Sequence, residues 1–564
     1  MINKFIIICT LLILIVSNLH ITIGNNIENE KINQKSSNII YIDYDVNSLP
    51  DSFSWTDIDG VNFVTPVRSQ SPFHSCETFA FTAAVEVMVQ KEVGYPFGCD
   101  LSEAHLYFWS GGNLDWGSFP ENDTNYLVEY GIPDEACWPY PKEYKLWPKN
   151  TTCDCWMDRT VKVTNWSYLP AGDINAIKHA LVNNGPVPVY FQIYEDFREY
   201  KKGIYRHIWG KAFAIHLVCI MGYVDDPSIF SGGYWIIKNS WGKKWGENGW
   251  FRIAYGECSI EEMPVYFGGV YGNFPIVYVD NKNIEGPWDG SKEHPYKTIN
   301  EGMNAAYEGW TVYVKNGTYH GDIVINKTIN IDGEDKTTTI INGTSTGNVI
   351  YVKAPGVRVS GFTIQNSGPD LFDSGISTLS LNSEITIQNN IIQNCDIGIL
   401  LNYAYEDSFN IVKDNIIKNN REGMYLLWSN NYLIENNTIF KNSEDGINFE
   451  ASMYGTCKDN IIFDNSGIGL HFHASSRESI IKNNLIEDNN IGIKLDHSNK
   501  NKINDNIFID NRVQATFKES YMTNWNRNTW DDWNKIFPRP IKGTITNFDI
   551  NWINFDFRPK KQLI

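Results

Sequence analysis

Apolar and polar positions repeat with a fixed period through the second half of the chain. A glycine followed by an apolar residue recurs every 23 or 25 residues, at Gly375, Gly398, Gly423, Gly446, Gly469 and Gly492. Short Ile-rich stretches lie between these glycines, and their alternation is typical of strands with one buried face. A repeat of this length predicts one coil of a parallel β-helix, with successive coils stacked about 4.8 Å apart.

Each repeat also contains an Asn-Asn or Asp-Asn pair. The pairs are Asn389-Asn390, Asp414-Asn415, Asn436-Asn437, Asp459-Asn460, Asn483-Asn484 and Asp505-Asn506. Because Gly and Asn favour turns, we interpret these pairs as side-chain ladders at the corners of the coils and not as catalytic groups.

The first half of the chain has a different pattern. Residues 77–91 are Ala-rich and follow a Pro-containing loop, which predicts a helix whose N-terminus carries Cys76. Residues 212–223 predict an apolar strand that contains His216. Residues 234–253 predict two strands joined by a Gly-rich turn, with Asn239 and Trp241 at the turn.

Residues 1–24 have the pattern of a secretory signal. Lys4 precedes an almost wholly apolar run, and small residues near position 24 offer a cleavage site. Residues 25–48 are polar and predict a flexible segment. No second apolar run has the length of a membrane-spanning helix, so we expect a secreted or cell-surface protein. Seven glycosylation sequons fit that location, at Asn122, Asn150, Asn165, Asn316, Asn326, Asn342 and Asn436.

Composition narrows the class of protein. The chain has 564 residues and a net charge of −19, so we expect two to four domains and no nucleic-acid partner. Cys153-Asp-Cys155 has no matching second pair, which disfavours zinc, and we expect no metal or other cofactor. Six cysteines of the first half allow up to three disulfides whose pairing stays open: Cys99, Cys137, Cys153, Cys155, Cys219 and Cys258.

Cys76 is the first candidate for chemistry. At a helix N-terminus, exposed backbone N–H groups and the helix dipole favour a thiolate, which is the reactive form of cysteine. The alternative interpretation is an inert cysteine in a core helix. A histidine in an apolar strand, such as His216, is likewise often a buried core residue whose hydrogen bonds are satisfied. Cys76 and His216 therefore indicate catalysis only when they are considered together with the motifs around them.

Together these motifs resemble the papain-like (C1) cysteine peptidases over residues 49–267. The matches are Gln70 six residues before Cys76, the strand with His216, and the Asn-Ser-Trp-Gly run that begins at Asn239. The resemblance implies an α+β domain with a helical half and a β-barrel half, and hydrolysis of peptide bonds. It implies Cys76 as the nucleophile with a lowered pKa, His216 as base and then acid, and Asn239 as the group that orients the imidazole. Gln70 would help form the oxyanion hole, and Trp241 would shield the Asn–His hydrogen bond.

Two residues beside Cys76 depart from the family pattern. His74 stands where a small Gly normally lines the substrate cleft, and Glu77 replaces a Trp. A carboxylate at position 77 suits the helix dipole but would raise the pKa of Cys76. The usual cysteine three residues upstream is absent, and its disulfide with it. We expect these changes to affect substrate preference and rate more than the type of reaction.

Residues 276–564 resemble the right-handed parallel β-helix domains of the NosD and pectate-lyase-like group. That group includes sugar-binding proteins and polysaccharide-cleaving enzymes, so the resemblance is specific for fold and not for function. Residues 268–275 are Gly-rich and predict a linker. Ile299, Met303 and Ala306 recur at helical spacing, which predicts a helix over 296–306 that caps the first coil. Residues 528–543 resemble the tail that closes such domains.

The sequence therefore predicts a multidomain, exported cysteine endopeptidase that acts on polypeptides and carries an all-β β-helix for surface or glycan attachment. Two alternatives stay open. One is a polysaccharide-binding or polysaccharide-cleaving β-helix with a non-catalytic peptidase-like domain, and the other is a structural cell-surface protein. The complete set of Cys76, His216, Asn239 and Gln70 favours the first interpretation.

The repeat also predicts an outward face. Counting on from the repeated glycines, Glu450, His473 and Asp496 would form one column, and Asn448, His471 and Lys494 a second. Tyr425 and Trp428 lie one coil away, where an aromatic ring can meet a sugar. We expect a glycan-binding or metal-binding face, against the alternative of a solvated surface with weak salt bridges.

Overall fold

The structure is a computed structural model that describes residues 39–40, 49–112, 117–143, 153–379, 384–404, 408–533, 537–545 and 550–560. The predicted signal at 1–24, nearly all of the segment 25–48, and the sequon at Asn150 lie outside these residues. The chain divides into two compact units, with the boundary between Phe274 and Pro275. Among the described helices, none is both long enough and apolar enough to cross a membrane.

Four helices form one half of the first unit. They are α1 (Cys76–Val93), α2 (Glu103–Trp109), α3 (Pro120–Glu129) and α4 (Ile174–Asn183), with 3-10 turns at Trp156–Arg159, Glu195–Glu199 and Glu257–Ser259. The Ala-rich α1 is buried almost all round. It ends at Gly94, whose φ of 79° lies in the left-handed region and lets its N–H donate to the carbonyls of Gln90 and Lys91.

Strands form the other half of this unit. They are β1 (Ser52–Ser54), β2 (Val161–Val163), β3 (Trp166–Tyr168), β4 (Val187–Tyr194), β5 (Ile204–Tyr205), β6 (Ala212–Asp225), β7 (Gly233–Lys238), β8 (Trp250–Ala254), β9 (Val265–Phe267) and β10 (Val270–Gly272). Six of them form one sheet in the order β1-β6-β7-β8-β5, with β4 also paired to β6. The central strand β6 is the predicted strand that contains His216.

Two features of this unit differ from expectation. The segment 268–275, expected as a linker, contains β10, which pairs antiparallel with β2 and so belongs to the first unit. Of the candidate disulfides, one is present, between Cys137 and Cys153. The other four candidate cysteines are described and carry free thiols: Cys99, Cys155, Cys219 and Cys258.

The second unit is a parallel β-helix, as predicted, with three faces. Face A contains β11 (Ile276–Val279), β12 (Thr311–Val314), β15 (Asn330–Gly333), β18 (Arg358–Ser360), β21 (Thr386–Gln388), β24 (Asn410–Lys413), β27 (Tyr432–Glu435), β30 (Thr456–Lys458), β33 (Ile480–Lys482), β36 (Lys502–Asn504) and β39 (Asn524–Asn526). Face B contains β14 (Ile323–Ile325), β17 (Ile350–Val352), β20 (Ser374–Leu379), β23 (Ile397–Asn402), β26 (Glu422–Leu427), β29 (Ile447–Glu450), β32 (Ile468–His473), β35 (Ile491–Asp496), β38 (Val513–Lys518) and β41 (Arg539–Ile545). Face C contains β13 (Gly317–His320), β16 (Thr339–Asn342), β19 (Thr363–Gln365), β22 (Ile391–Gln393), β25 (Ile416–Lys418), β28 (Thr438–Phe440), β31 (Ile461–Phe463), β34 (Leu485–Glu487), β37 (Ile507–Ile509) and β40 (Thr529–Trp530).

The repeated glycines lie where coils approach each other on face B. A Cβ added to Gly423 would lie 2.4 Å from the Gly446 carbonyl oxygen, so only glycine fits. The residue after each glycine points inward, as expected: Met424, Ile447, Leu470 and Ile493 are fully buried. Ile, Val, Leu and Phe from all three faces fill one continuous core.

The Asn pairs form the predicted ladders, and each member of a pair has a separate role. The first member adopts a left-handed conformation, as Asn483 does with a φ of 56°, which Asn and Asp tolerate better than most residues. The second member is buried. The Asn460 side-chain amide donates to Asn484 Oδ1 over 2.9 Å, and Asn484 donates to Asn506 Oδ1 over 2.9 Å. A second ladder runs through Asn420, Asn442, Asn465, Asn489 and Asn511.

Both ends of the β-helix are covered. At the first coil, α5 (Ile299–Ala305) begins with a Thr298–Glu301 capping box, and Ile299 and Met303 are buried in the core, which agrees with the predicted cap. At the last coil, β42 (Ile550–Asp556) pairs antiparallel with β41. There the buried Asp556 carboxylate accepts from the side-chain amide of Asn528, the last asparagine of the first ladder.

Candidate active site

The loop before α1 is fixed by the turn that follows β7. The Gln70 N–H donates to the Ser240 carbonyl over 2.8 Å, and Ser69 and Trp241 form a backbone bridge. Ser75 Oγ lies 2.6 Å from the Tyr140 hydroxyl. These contacts hold Cys76 at the first residue of α1, as predicted, and place the turn with Asn239 beside the loop.

His216 and Asn239 form the expected hydrogen bond. His216 Nε2 lies 2.8 Å from Asn239 Oδ1, which also accepts from the Ser240 N–H. The Trp241 ring stacks on the imidazole with a centroid separation of 4.9 Å and an interplanar angle of 26°. Burial lowers the pKa of His216 to about 4, and the bond to Asn239 offsets only part of that effect.

Cys76 contacts the strand that carries His216. The backbone of Leu217, the residue after His216, lies close enough to the Cys76 thiol to favour its ionised form. A cavity of about 20 Å³ is lined by residues of α1 and by Leu217, Asn239 and Ser240. The structure therefore brings Cys76, His216 and Asn239 into one site, while their catalytic roles stay predictions.

Gln70 borders the open side of the site. Its side-chain Oε1 accepts from Ser240 Oγ over 2.7 Å, and its Nε2 donates to the Phe73 carbonyl over 3.4 Å. A cleft of about 330 Å³ lies here, lined by Ser69, Gln70, Ser71, Pro72, Phe73, Ser240 and Trp241. His74 is exposed in the same loop, which is compatible with its predicted position at the substrate cleft.

The expected direction of the Cys76 pKa is wrong. Burial and the neighbouring Glu77 carboxyl, in that order, raise the pKa of Cys76 well above its usual value. The Cys76 thiol donates to Glu77 Oε2 over 3.4 Å. The helix N-terminus and the Leu217 backbone favour the thiolate, but desolvation and a like charge outweigh them.

On the β-helix, the predicted face is a connected polar network on face B. Glu450 pairs in register with His473, and Asn448 with His471. Glu450 accepts from the Tyr425 hydroxyl, and His473 Nε2 lies 2.7 Å from Asn448 Oδ1.

The rest of the predicted face is less connected. Asp496 Oδ1 lies 2.6 Å from His497 Nδ1, and its second oxygen lies 3.8 Å from Lys494 Nζ. Trp428 is 55% exposed and leaves its ring open to solvent. The sequence prediction missed Asp445, whose Oδ2 lies 2.8 Å from His471 Nδ1. The signal in the sequence that could have identified Asp445 was its position directly before the repeated Gly446.

These contacts do not form a metal site. Within the described ranges, no group of three or more His, Cys, Asp or Glu side chains is arranged to hold a metal ion. His471 and His473 each use one ring nitrogen on a neighbouring side chain, Asp445 or Asn448. The glycan interpretation of the face therefore stays as the prediction to test, and we derive no metal chemistry for this unit.

Comparisons with known proteins agree with both units. The family model described as papain family cysteine protease matches residues 49–267, and the model described as periplasmic copper-binding protein (NosD) matches residues 303–537. The chain is 44% identical to cathepsin B-like CP3 of Giardia intestinalis over 248 residues, which is 40% of this chain and 75% of that protein. It is 32% identical to cathepsin B-like CP2 of the same organism over 39% of this chain and 74% of that protein. The chain belongs to the papain family of cysteine proteases, and its second unit is a NosD-like β-helix.

Other relatives are matched over less of their length. The chain spans 52% of cathepsin C of Schistosoma mansoni and 60% of the thiol protease aleurain of Arabidopsis thaliana. Among solved structures, bromelain from Ananas comosus aligns over 39% of this chain and 100% of its own, with 26% identity and a TM-score of 0.34.

Proposed function

We propose that this protein is an exported cysteine endopeptidase that hydrolyses peptide bonds at Cys76. The observation that carries the proposal is the His216–Asn239 hydrogen bond under Trp241, with Cys76 held against the next residue of the same strand. A nucleophile, a base and a group that orients the base are the parts that covalent acyl transfer needs.

The steps follow from these positions. Asn239 holds one imidazole nitrogen, so His216 keeps the other to take the Cys76 proton. The sulfur attacks the peptide carbonyl, and the Cys76 N–H with the Gln70 side chain stabilises the oxyanion. His216 then protonates the leaving amine, and water, activated by the same imidazole, hydrolyses the thioester.

Hydrolysis of an unfolded protein substrate tests the proposal. Cys76→Ala should reduce turnover at least a thousandfold, since no acyl-enzyme can form. Cys155→Ala is the matched control, because it removes another partly exposed thiol of the same unit and should leave turnover unchanged. Full activity in the Cys76 variant would overturn the assignment and favour the non-catalytic alternatives.

Export rests on separate features. The predicted signal at 1–24, the Cys137–Cys153 disulfide and the sequons support an extracytoplasmic location. Cell fractionation of the natural host should find the protein outside the cytoplasm with its N-terminus beyond residue 24. Recovery of the protein in the cytoplasm with an intact N-terminus would contradict export.

A second function is favoured by the network on face B. Tyr425 packs against Phe372 with ring centroids 5.8 Å apart and donates to Glu450, which sets an aromatic surface beside a carboxylate. We propose that this surface binds glycan and attaches the peptidase to polysaccharide-coated surfaces.

Glycan-array binding of the full-length Cys76→Ala chain tests the attachment. The double variant Glu450→Ala/His473→Ala should lose at least tenfold in affinity. His320→Ala/Glu487→Ala removes the same two residue types from face C and should bind like the parent. Absent binding in the parent, or equal losses in both variants, would leave face B as a solvated surface.

A further inference from the structure

Glu77 places a carboxyl group against the proposed nucleophile. It occupies the first turn of α1, directly after Cys76, and its Oε2 accepts from the Cys76 thiol over 3.4 Å. His216 is the second group that can take this proton, because its Nε2 is engaged by Asn239 and its other nitrogen is left for Cys76. The thiol therefore has two competing proton acceptors.

The surroundings of Glu77 hold further acidic groups. Asp123 on α3 is fully buried and accepts from Ser118 Oγ over 2.6 Å, and burial first, then the charge of Glu77, raises the pKa of Asp123 well above its usual value. Tyr190 on β4 also faces Glu77, and its buried hydroxyl has no hydrogen-bond partner in the described structure. No Lys or Arg side chain in the described ranges compensates Glu77.

The chain packs tightly over this carboxyl. A Cβ added to Gly117 would lie 2.8 Å from the His74 carbonyl oxygen and 3.6 Å from Glu77 Oε2. Glu77 is partly buried here and keeps some exposure to water. Burial raises the pKa of Glu77 to about 7, so its charge appears near neutral pH.

We propose that Glu77 is a positioning residue that holds the Cys76 thiol in its protonated form, and that the thiol becomes available to His216 when the Glu77 carboxyl is itself protonated. The inference rests on the proposed function, since it assigns the nucleophile to Cys76. We call this control of the Cys76 thiol by the Glu77 carboxyl the gate. It depends on Glu77, the residue that replaces the family's Trp.

The sign of the pH effect follows from the charges. Below pH 7 Glu77 is neutral and adds no negative charge beside the sulfur. As the pH rises through 7, Glu77 ionises and raises the pKa of the neighbouring thiol further. Reactivity of Cys76 should therefore level off near neutrality, where the reactivity of an isolated thiol would rise tenfold per pH unit.

The rate of Cys76 alkylation by iodoacetamide between pH 4 and 9 tests this without requiring peptidase activity. The full-length chain is quenched at intervals, and the Cys76 peptide is quantified by mass spectrometry. At pH 8 Glu77→Gln should react about tenfold faster than the parent, because one pKa unit of thiol shift is a factor of ten. At pH 5 the two should agree within about twofold. Glu92→Gln, which removes an exposed carboxylate from the same helix, should follow the parent at every pH.

The outcomes separate this inference from the proposed function. A rate ratio between Glu77→Gln and parent that is the same at pH 5 and pH 8 overturns the gate. So does a parent profile that rises tenfold per pH unit through neutrality, a measurement that needs no variant to fold. Peptidase assays on Glu77→Gln should show a raised kcat at pH 8 with little change in KM. Retained peptidase activity in Cys76→Ala would instead overturn the proposed function and leave the alkylation result standing.

Discussion

The asparagine ladder of the β-helix and the core of the peptidase unit differ in how their buried polar groups are paired. In the β-helix, the buried Asn484 amide donates to one neighbouring coil and its oxygen accepts from the other, so its hydrogen-bonding groups are paired. In the peptidase unit, both ring nitrogens of His105 are buried with no hydrogen-bond partner among the described residues, and the buried Asp123 carboxyl is subject to the charge of Glu77. Along the ladder each coil supplies a partner for the next, whereas outside it both units retain buried groups without a partner among the described residues, such as His105 and His471 Nε2.

The largest expected effect breaks the site itself. His216→Ala should lower kcat/KM for a peptide substrate at least a thousandfold, because the base and the later acid are both lost. Asn239→Ala should cost about ten- to a hundredfold, because only the orientation of the imidazole is lost. Steady-state kinetics measures both. Equal losses would mean that Asn239 does more than orient His216.

The second prediction concerns the contribution of the asparagine ladder to stability. Asn484→Ala leaves the buried Asn460 backbone N–H without its acceptor and removes the side-chain bonds to Asn460 and Asn506, which should cost about 2–4 kcal/mol. Hydrogen exchange of residues 456–509, followed by mass spectrometry, should show faster exchange in those coils. Unchanged protection would mean that the ladder contributes little to stability.

The third prediction concerns His105, which lies among Trp109, Tyr126, Trp138 and Trp156. Burial lowers its pKa from 6.5 to about 3, so the unfolded chain takes up a proton below about pH 6.5 that the folded chain refuses. Stability present above pH 6.5 is therefore lost as the pH falls towards 3. His105→Phe should remove this loss, a gain of about 2 kcal/mol at pH 5 relative to pH 7.

Urea unfolding at pH 7 and pH 5 measures that difference. His320→Phe changes an exposed histidine of the β-helix, leaves His105 in place, and should retain the parent's loss of stability at pH 5. A pH dependence in the His105 variant equal to that of the parent would contradict the account.

The smallest expected effect concerns Asn483, the exposed neighbour of the ladder residue Asn484. Asn483 has a φ of 56°, so Asn483→Ala should cost about 1 kcal/mol and Asn483→Gly almost nothing. Urea unfolding of both variants measures the difference. An Ala variant as stable as the Gly variant would show that backbone strain is not what selects Asn here.

Much of the difference between the β-helix and the peptidase unit could be predicted from the sequence. The spacing of glycines and Asn pairs identified the coils and ladders, because each coil repeats the same local constraints. The motifs around Cys76, His216 and Asn239 predicted the site because the family preserves their order. The direction of the Cys76 pKa shift was predicted wrongly, since it depends on how deeply the sulfur is desolvated beside Glu77.

Other features required three-dimensional positions. His471 meets Asp445 across neighbouring coils, so no local pattern links them. The strand β10 lies in a Gly-rich segment whose pairing with β2 depends on distant residues. Cys99, Cys219 and Cys258 are buried as free thiols, so counting cysteines overestimated the disulfides.

The first asparagine ladder has a direction. Each amide donates towards the C-terminal coil, as Asn460 does to Asn484 and Asn506 to Asn528, so the side-chain dipoles add along the rod. Their positive end reaches the Asp556 carboxylate, which also accepts from the Trp530 indole. An anion at the positive end of aligned amides is the arrangement that stabilises helix N-termini. The rod is thus electrically polar and closed at one end, so coils could be added within it but not beyond Asp556.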